Sequence, residues 1–381
     1  MAVLRAPENP VIRPGDVTPS REDFEVIGVL NAGVARLRDE VILLLRIAER
    51  PIQDRADVVL CPIYDVDTAQ IILKPFARDD PRNDFSDPRL IVARASCPYV
   101  TRPSWPRLPR HDASVGPEVQ GRDALATLET YLTSISHLRV ARSKDGIRFQ
   151  IADTPAIQAA TEYDTFGVED PRITCIEGVC CVSYVGVSPL GVTTCLASTR
   201  DFRSFERRGI IFHPDNKDVA IFPARIDGRY YALHRPHSSL FLRNDIWTAE
   251  SPDLICWGNH RYLMGTQDGG WDEKRIGAGA PPLWVKEGWL EIYHGADRNN
   301  RYCLGAVLLD GEQPWKIVAR SETPLFEPEA DYERAGFFGN VVFSCGLLFE
   351  DEILKIYYGA ADTSICYAEI PLADVYANLG L

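Results

Sequence analysis

The segment Phe166–Arg172, with the sequence F-G-V-E-D-P-R, contains the residues best suited to acid chemistry. Asp170 precedes a proline, which fixes one backbone angle and cannot donate to a strand ladder, so the pair belongs at the start of a strand. Two apolar runs joined by a Glu-Gly turn follow, a pattern typical of a β-hairpin. Such a hairpin would hold Asp170 rigidly beside Arg172 and Tyr184, an arrangement that suits a proton donor in sugar chemistry. Most Asp-Pro pairs only begin turns, so this segment alone is a weak signal.

Basic residues form a second candidate group, and they suit a phosphate nucleophile. Inverting cleavage of a glycosidic bond needs an acid for the leaving oxygen and a nucleophile on the opposite face of the sugar. Water as the nucleophile requires a second carboxylate as base, whereas phosphate requires cations that hold its negative charge. The candidate phosphate-binding residues are Lys217, Arg235, Arg275 and His294. The candidate sugar-binding residues are Asn31, Arg46, Arg172, Tyr184 and Asp362.

Many of these residues also have a purely structural interpretation. The alternatives are ion pairs of Arg172 with Glu169, of Asp218 with Lys217 and of Arg46 with a neighbouring element, a strand-capping His294 and a turn at Asp362. The histidines at His213, His234 and His237 have spacings that match no metal motif. We therefore predict no metal site and no cofactor, with inorganic phosphate as a co-substrate.

Repeated hairpins are the elements that would bring these residues together. A polar start, an apolar run, a short turn and a second apolar run occur in 31–46, 170–184, 217–235, 275–294 and 340–358. From Asp170 onward the repeats are spaced by roughly 50 to 60 residues, a period typical of propellers. One hairpin cannot bury both of its apolar faces, but five arranged radially can, so we predict an all-β fold, a five-bladed β-propeller. The polar ends expected to meet at one end of its axis are Asn31, Asp170, Lys217, Arg275 and Asn340.

The sequence predicts a single domain over residues 1–381, because every blade would share the core of the ring. Val58–Leu73 is predicted to form outer strands of the first blade, and His137–Phe149 a strand, a turn and a strand. Lys74–Pro109 is rich in Pro, Arg and Asp and is predicted to be loop. The apolar spacing of Arg122–Ser134 predicts a short helix. Together these last two segments form a predicted loop/helix insertion near residues 74–135.

The composition is that of a globular protein, with 45% apolar and 25% charged residues in 381. A net charge of −13 argues against nucleic acid and anionic membranes as partners. No stretch approaches the ~20 apolar residues that span a bilayer, and the N-terminus has no apolar signal core, which predicts a cytoplasmic location. The ten cysteines lie mostly in apolar runs without C-x-x-C spacing, so we predict buried free thiols. The sequence leaves a homo-oligomer open.

Eight short motifs occur in an order that is specific to one enzyme family. They are N-A-G at 31–33, L-L-R at 44–46, G-V-E-D-P-R-I at 167–173, N-K-D-V-A-I-F-P at 216–223, L-H-R-P at 233–236, I-G-A-G-A-P-P at 276–282, W-L-E-I-Y-H-G at 289–295 and Y-Y-G-A-A-D at 357–362. Over nearly its whole length the sequence thus resembles glycoside hydrolase family 130, the β-mannoside phosphorylases and β-mannosidases with a five-bladed propeller. The resemblance implies that Asp170 is the general acid, acting through a hydroxyl of the mannosyl unit. It also implies a phosphate site at Lys217, Arg235, Arg275 and His294.

Three positions depart from the family pattern. Lys217 and Arg275 are exchanged in type with the usual Arg and Lys, and a lysine presents a point charge where an arginine presents a fork. Ala224 stands where the pattern F-P-E has its glutamate, which removes one carboxylate. The residues and the resemblance together predict an inverting phosphorylase that cleaves a short β-mannoside and yields mannose 1-phosphate. The alternatives are an inverting β-mannosidase that uses water and a non-catalytic sugar-binding propeller.

Overall fold

The computed structural model describes residues 3–94, 128–238, 241 and 243–381, and within them the chain is almost entirely strand and turn. In chain order the strands are β1 (Leu4–Arg5), β2 (Phe24–Leu37), β3 (Glu40–Pro51), β4 (Val58–Asp65), β5 (Gln70–Ala77), β6 (Asn83–Asp84), β7 (Leu90–Arg94), β8 (Leu128–Leu132), β9 (Ile135–Ser143), β10 (Gln150–Ile151), β11 (Val168–Ile176), β12 (Val179–Ser188), β13 (Gly191–Thr199), β14 (Glu206–Phe212), β15 (Asn216–Ile221), β16 (Tyr230–Pro236), β17 (Ile246–Ser251), β18 (Gly258–Met264), β19 (Arg275–Gly277), β20 (Leu283–Val285), β21 (Gly288–Ala296), β22 (Tyr302–Leu309), β23 (Ile317–Arg320), β24 (Val342–Glu350), β25 (Ile353–Ala360) and β26 (Ser364–Pro371). The helices are a 3₁₀ helix (Pro14–Asp16), α1 (Asp331–Arg334) and α2 (Leu372–Leu379). None of the described helices is long and apolar enough to cross a bilayer.

Five antiparallel sheets dominate the fold, and each contains one of the predicted hairpins. Their strand orders are β10-β9-β3-β2 (sheet 1), β11-β12-β13-β14 (sheet 2), β15-β16-β17-β18 (sheet 3), β19-β21-β22-β23 with β20 also on β21 (sheet 4), and β24-β25-β26-β1 (sheet 5). Sheet 5 is completed by β1 from the start of the chain, which pairs with β26. The predicted all-β fold and its repeated hairpins are confirmed. The first strand predicted in His137–Phe149 corresponds to β9, and the second lies just beyond this range as β10.

The apolar strands bury both faces because each sheet packs between two others. In β3, Val41 and Leu43 contact an apolar cluster shared with sheet 5, whereas Ile42 and Leu44 contact a cluster shared with sheet 2. Successive side chains of a strand point to opposite faces, so a strand covered on both sides is apolar throughout. Further clusters join sheets 2 and 3, sheets 3 and 4, and sheets 4 and 5.

Bulges interrupt the first hairpin strand in several sheets and bring polar residues to corresponding positions. Register shifts occur around Asn31 in β2, Asp170 in β11 and Asp218 in β15. The three residues have φ values of 44°, 47° and 55°. Asn and Asp tolerate this left-handed conformation better than most residues, and bulges commonly redirect a side chain next to a functional site. The structural repeat therefore matches Asp170 with Asp218, not with Lys217 as the sequence comparison of hairpins suggested.

The chain between β3 and β9 forms two additional small sheets, a β4-β5 hairpin and a three-stranded β6-β7-β8 sheet. The prediction that Val58–Leu73 supplies outer strands of the first blade is wrong, because those strands pair with each other and not with sheet 1. The helix predicted for Arg122–Ser134 is wrong in its described part. Leu128–Leu132 is β8, whose backbone pairs with β7, and Tyr131 packs against Phe76. Tertiary pairing here overrides the helical spacing of a short segment.

The described cysteines follow the prediction of buried free thiols, except for one disulfide and the exposed Cys256. Cys175 and Cys180 lie directly opposite each other in the β11–β12 hairpin, with their Cα atoms 3.9 Å apart, and form a disulfide. The register of the hairpin brings the two together, which residue spacing alone did not reveal. Among the described residues the remaining cysteines are free, and all of them except Cys256 are buried.

Candidate active site

A pocket of about 400 Å³ is lined by residues from all five sheets. The predicted site residues that line it are Asn31, Arg46, Asp170, Lys217, Arg235, Arg275, His294 and Asp362. Residues up to 331 positions apart are thus brought together by strand ends and bulges of different sheets. Of the five polar ends that the repeated hairpins predicted to meet, Asn31, Asp170, Lys217 and Arg275 line this pocket, whereas Asn340 does not.

Asp170 is held from two sides at the bulge of β11. Its Oδ1 accepts hydrogen bonds from Asn31 Nδ2 at 2.8 Å and from Arg46 Nη1 at 3.0 Å. Burial alone would raise the pKa of Asp170, but the charges of Arg46 and Lys217 and the Asn31 hydrogen bond lower it below its ordinary value. These neighbours therefore favour the ionised form of the Asp170 carboxyl group at neutral pH.

Arg46 organises the carboxylate side of the pocket. Its Nη2 donates to Glu169 at 2.7 Å, its Nη1 to Asp170, and its Nε to Ser136 Oγ at 3.2 Å. Glu169 was predicted to pair with Arg172 and instead pairs with Arg46, which comes from the neighbouring sheet. The arginine therefore links sheet 1 to sheet 2, as the structural alternative predicted, and it also lines the pocket.

Asp362 is the pocket carboxylate without an ion pair among the described residues. It follows β25, with a φ of 45°. Burial raises its pKa to about 6, although the charge of Arg46 opposes this and that of Asp170 adds to it. Asp362 is therefore near enough to Asp170 for their charges to interact, and it titrates just below neutral pH.

Asp218 occupies the middle of the basic group. Its Oδ1 accepts from Arg172 Nη2 at 3.2 Å, and its Oδ2 lies 2.7 Å from Arg235 Nε and 3.5 Å from His294 Nε2. The alternative in which Asp218 pairs with Lys217 is not observed, because the bulge at β15 turns the Asp218 side chain inward to Arg172, Arg235 and His294. Burial would raise its pKa, but the neighbouring cations lower it, so it is a permanent anion that positions the side chains around it.

His294 belongs to the pocket as predicted, but not as a cation. Burial lowers its pKa to about 3, although Asp218 acts in the opposite direction and Arg235 adds to the decrease. At neutral pH the imidazole is neutral and can bind an anion only through an N–H group. Gly277 explains its close approach: a Cβ there would lie 2.5 Å from His294 Cε1 and closer still to Asp218 Oδ2.

Lys217 and Arg275 are predicted phosphate-binding residues that remain available for an anion. Within the part of the chain that the structure describes, neither has an ion-pair partner, and Arg275 Nε is buried without a hydrogen bond. The pocket cations are Arg46, Arg89, Lys217, Arg235, Lys274 and Arg275, and its carboxylates are Glu169, Asp170, Asp218 and Asp362. His294 is neutral, and Arg89 is neutralised by its ion pair with Asp87 outside this set, whereas Lys217, Lys274 and Arg275 have no ion pair among the described residues.

Two residues predicted to bind sugar lie outside the pocket, and these predictions are wrong. Arg172 is fully buried, where it donates to the carbonyls of Gly279 and Ala278 at 2.7 Å and to Asp218. Tyr184 is buried in the apolar cluster between sheets 1 and 2. The bulge at Asp170 pairs Arg172 with Ser183, so the next residue along β12, Tyr184, faces away from the site.

Several pocket residues escaped the sequence analysis. Lys274 directly precedes Arg275, and its Nζ donates to Asn300 Oδ1 at 2.5 Å. Arg89 comes from the turn before β7, and Phe338 from the loop before β24. The adjacent basic pair was a usable signal for Lys274, but loop residues carry no periodicity that would have placed them. Among the described residues there is no cluster of His, Cys, Asp and Glu that could hold a metal.

The chain is similar to known proteins of one enzyme family. The model of glycoside hydrolase family 130, described as beta-1,4-mannooligosaccharide phosphorylase, matches residues 126–379. The beta-1,2-mannobiose phosphorylase of Listeria innocua is 43% identical over 379 residues, which cover 100% of this chain and 99% of that protein. The 1,2-beta-oligomannan phosphorylase of Thermoanaerobacter sp. is 42% identical over 244 residues, 63% of this chain and 80% of that protein.

A solved structure gives the same result. The Listeria innocua beta-1,2-mannobiose phosphorylase in complex with beta-1,2-mannobiose matches with a TM-score of 0.88 and 43% identity, covering 100% of this chain and 99% of that one. The family predicted from the motifs is thereby confirmed, and the chain belongs to glycoside hydrolase family 130.

Proposed function

We propose that this protein is an inverting β-mannoside phosphorylase that transfers a mannosyl unit to inorganic phosphate and releases mannose 1-phosphate. The observation that carries the proposal is the division of the pocket between sheets. Sheets 1, 2 and 5 supply the hydrogen-bonding and carboxylate groups Asn31, Arg46, Glu169, Asp170 and Asp362. Sheets 3 and 4 supply Lys217, Asp218, Arg235, Arg275 and His294.

The side of the pocket formed by sheets 3 and 4 suits a phosphate dianion. Lys217 and Arg275 have no ion pair among the described residues, so their positive charges are available to the anion. Ionised Asp218 fixes Arg235 in place, so less side-chain entropy is lost when the anion binds. His294, being neutral, contributes a hydrogen bond and not a charge.

The proposed phosphorolysis uses Asp170 on one side of the pocket and phosphate on the other. An oxygen of hydrogen phosphate attacks the anomeric carbon, the bond from that carbon to the leaving oxygen breaks on the opposite face, and the leaving oxygen takes a proton. Over a full cycle hydrogen phosphate loses the proton that the leaving sugar gains, so Asp170 acts only as a carrier. The lowered pKa of Asp170 means that it holds the proton only transiently, which fits a carrier, and the resemblance implies that the proton passes through a mannosyl hydroxyl.

Hydrolysis is less well supported, because water would need a base on the face opposite the acid. Asp218 is engaged by Arg172 and Arg235, and Glu169 is engaged by Arg46. Asp362 has no ion pair among the described residues, but it lies on the side of Asp170, with which its charge interacts. No described pocket carboxylate is therefore both free and suitably placed to activate water.

For the substrate, we propose a β-1,2-linked mannobiose or short oligomannoside. The Listeria innocua and Thermoanaerobacter relatives are named for this linkage. The family description names β-1,4-mannooligosaccharides, which makes that linkage the alternative. Initial rates with mannobioses of both linkages, with and without phosphate, test the proposal. We expect turnover that requires phosphate and a preference for the β-1,2 linkage, whereas equal rates without phosphate would refute phosphorolysis.

We also propose that the five sheets are the blades of a five-bladed propeller forming one domain over residues 1–381. The apolar clusters support this arrangement, since each sheet packs on the next and sheet 5 packs on sheet 1. The addition of β1 to sheet 5 would join the two ends of such a ring. An experimental structure in which the sheets do not surround a common axis would contradict the proposal.

A further inference from the structure

The chain between β3 and β9 brings to the pocket a basic residue that neither the acid nor the phosphate site uses. Arg89 lines the pocket, although it precedes β7 in the small β6-β7-β8 sheet and belongs to none of the five large sheets. Its side chain is 51% exposed, against 7% for Asp170. Arg89 therefore lies at the mouth of the pocket, and Asp170 lies at its buried end.

The guanidinium of Arg89 is held in a fixed position. Its Nε and Nη2 donate to the two oxygens of Asp87 at 2.9 and 2.7 Å, a bidentate pair that fixes the plane of the fork. Its Cζ lies 5.5 Å from the centroid of the Phe338 ring, which also lines the pocket. Two of its five N–H groups are used by Asp87, so further donors remain for a ligand.

The position of Arg89 across the mouth suits the leaving sugar. Arg89 lines the same pocket as Asp362, which follows β25 of sheet 5, and Tyr302 of sheet 4. The terminal mannosyl unit must reach Asp170 at the buried end, whereas the leaving sugar must depart to solvent. The leaving sugar would therefore lie at the mouth of the pocket, with its hydroxyls and its apolar ring face against Arg89 and Phe338.

We propose that Arg89, together with Phe338, determines the specificity for the leaving sugar. The guanidinium donates hydrogen bonds to hydroxyls of that sugar, and the Phe338 ring packs against its CH groups. The inference rests on the proposed phosphorolysis of a short β-mannoside, and it gives the additional segment between β3 and β9 a function at the site.

The chain contains a matched control for Arg89. Asp80-Pro81-Arg82 repeats the tripeptide Asp87-Pro88-Arg89 within the same segment. Arg82 donates to both oxygens of Asp80, and its side chain is 54% exposed. It does not line the pocket. The variants Arg82→Ala and Arg89→Ala therefore remove the same kind of ion pair, but only one of them removes a pocket residue.

The test is the steady-state kinetics of both variants in both directions, after circular dichroism has shown that they are folded. For Arg89→Ala we expect the KM for the acceptor mannose in the reverse reaction to rise by about tenfold, the effect of losing a hydrogen bond from a charged donor. The KM values for phosphate and for mannose 1-phosphate should stay within about twofold, and Arg89→Lys should restore only part of the affinity because it lacks the fork. Arg82→Ala should resemble the wild type.

Two results would overturn the inference. An unchanged acceptor KM in Arg89→Ala would mean that the guanidinium does not hold the leaving sugar, and a raised phosphate KM instead would assign Arg89 to the phosphate site. The wild-type reaction is measured first, which keeps the two proposals apart. If the wild type releases free mannose without phosphate, the proposed phosphorolysis is refuted. The role of Arg89 is tested separately, by comparing the acceptor KM of Arg89→Ala with that of Arg82→Ala.

Discussion

The side-chain amide of Asn31 donates a hydrogen bond of 2.8 Å to Oδ1 of Asp170 and so joins sheets 1 and 2 at corresponding positions. Both residues occupy a bulge and both have left-handed φ values, 44° and 47°. The residue that holds the proposed proton carrier is thus the structural counterpart of that carrier in the neighbouring sheet. The repeat that builds the fold also builds the site.

Asp170→Asn should remove the proton carrier and preserve the shape of the site. Its side-chain oxygen can still accept from Asn31, so we expect a folded protein. Because general acid catalysis contributes about a hundred- to ten-thousand-fold, kcat on an unactivated mannoside should fall within that range. A folded variant with a near wild-type rate would assign the proton transfer to another residue.

Arg275→Ala should weaken phosphate binding without a large effect on folding. Arg275 has no ion pair among the described residues, so its removal leaves no buried partner uncompensated. We expect the phosphate KM to rise by about tenfold or more, the typical effect of losing one or two charge-assisted hydrogen bonds, with little change in the mannoside KM. Equal increases in both KM values would contradict a separate phosphate site.

Gly277→Ala should disturb the contact between Asp218 and His294. The added methyl group would lie 2.5 Å from His294 Cε1 and closer still to Asp218 Oδ2, so both side chains must move. We expect a destabilisation of about 1 to 3 kcal/mol in denaturant unfolding and a raised phosphate KM. Gly258→Ala is the control, because a Cβ there meets no atom within 4 Å. Similar behaviour of the two variants would refute the packing argument.

Asp362→Asn should alter the pH dependence of stability. The pKa of Asp362 is about 6 in the fold against an ordinary 3.8, so the folded state binds this proton more tightly than the unfolded state. Stability should therefore fall as pH rises from about 4 to about 6, by no more than about 2 kcal/mol since the residue is partly exposed. The asparagine variant should lack this decrease and be more stable than the wild type at pH 7.

Thermal unfolding between pH 4 and pH 8 measures this effect. Asp351→Asn is the control, since it is an exposed turn residue of the same sheet, also with a positive φ of 53°. If the two asparagine variants differ from the wild type in the same way, Asp362 does not carry the pH dependence.

The sequence predicted the five hairpins because their strands are buried on both faces and are therefore apolar over most of their length. It also predicted most of the pocket, since residues such as Asp170 and Arg275 begin these strands. The sequence did not predict the β-bulges, which change the direction in which side chains point. One extra residue in a strand reverses the direction of the side chains that follow, which turned Asp218 into the pocket. The bulge at Asp170 also shifted the pairing, so that Arg172 lies opposite Ser183 and Tyr184 faces the core.

Charge and chain connectivity explain what else was missed. His294 was placed correctly, but its protonation depends on burial, which spacing does not reveal. The contribution of Arg89 depends on how a small additional sheet packs beside the five large ones, and no periodic pattern encodes that placement. The Cys175–Cys180 disulfide likewise depended on the register of one hairpin.

The most direct test of the central claim is product analysis by ³¹P and ¹H NMR during turnover of β-1,2-mannobiose in phosphate buffer. We predict α-mannose 1-phosphate and mannose in equal amounts, with the α anomer as the first product because the β linkage is inverted. No comparable turnover should occur when phosphate is replaced by a non-nucleophilic buffer. Free mannose formed at the same rate without phosphate, or a β-configured sugar phosphate, would contradict the account.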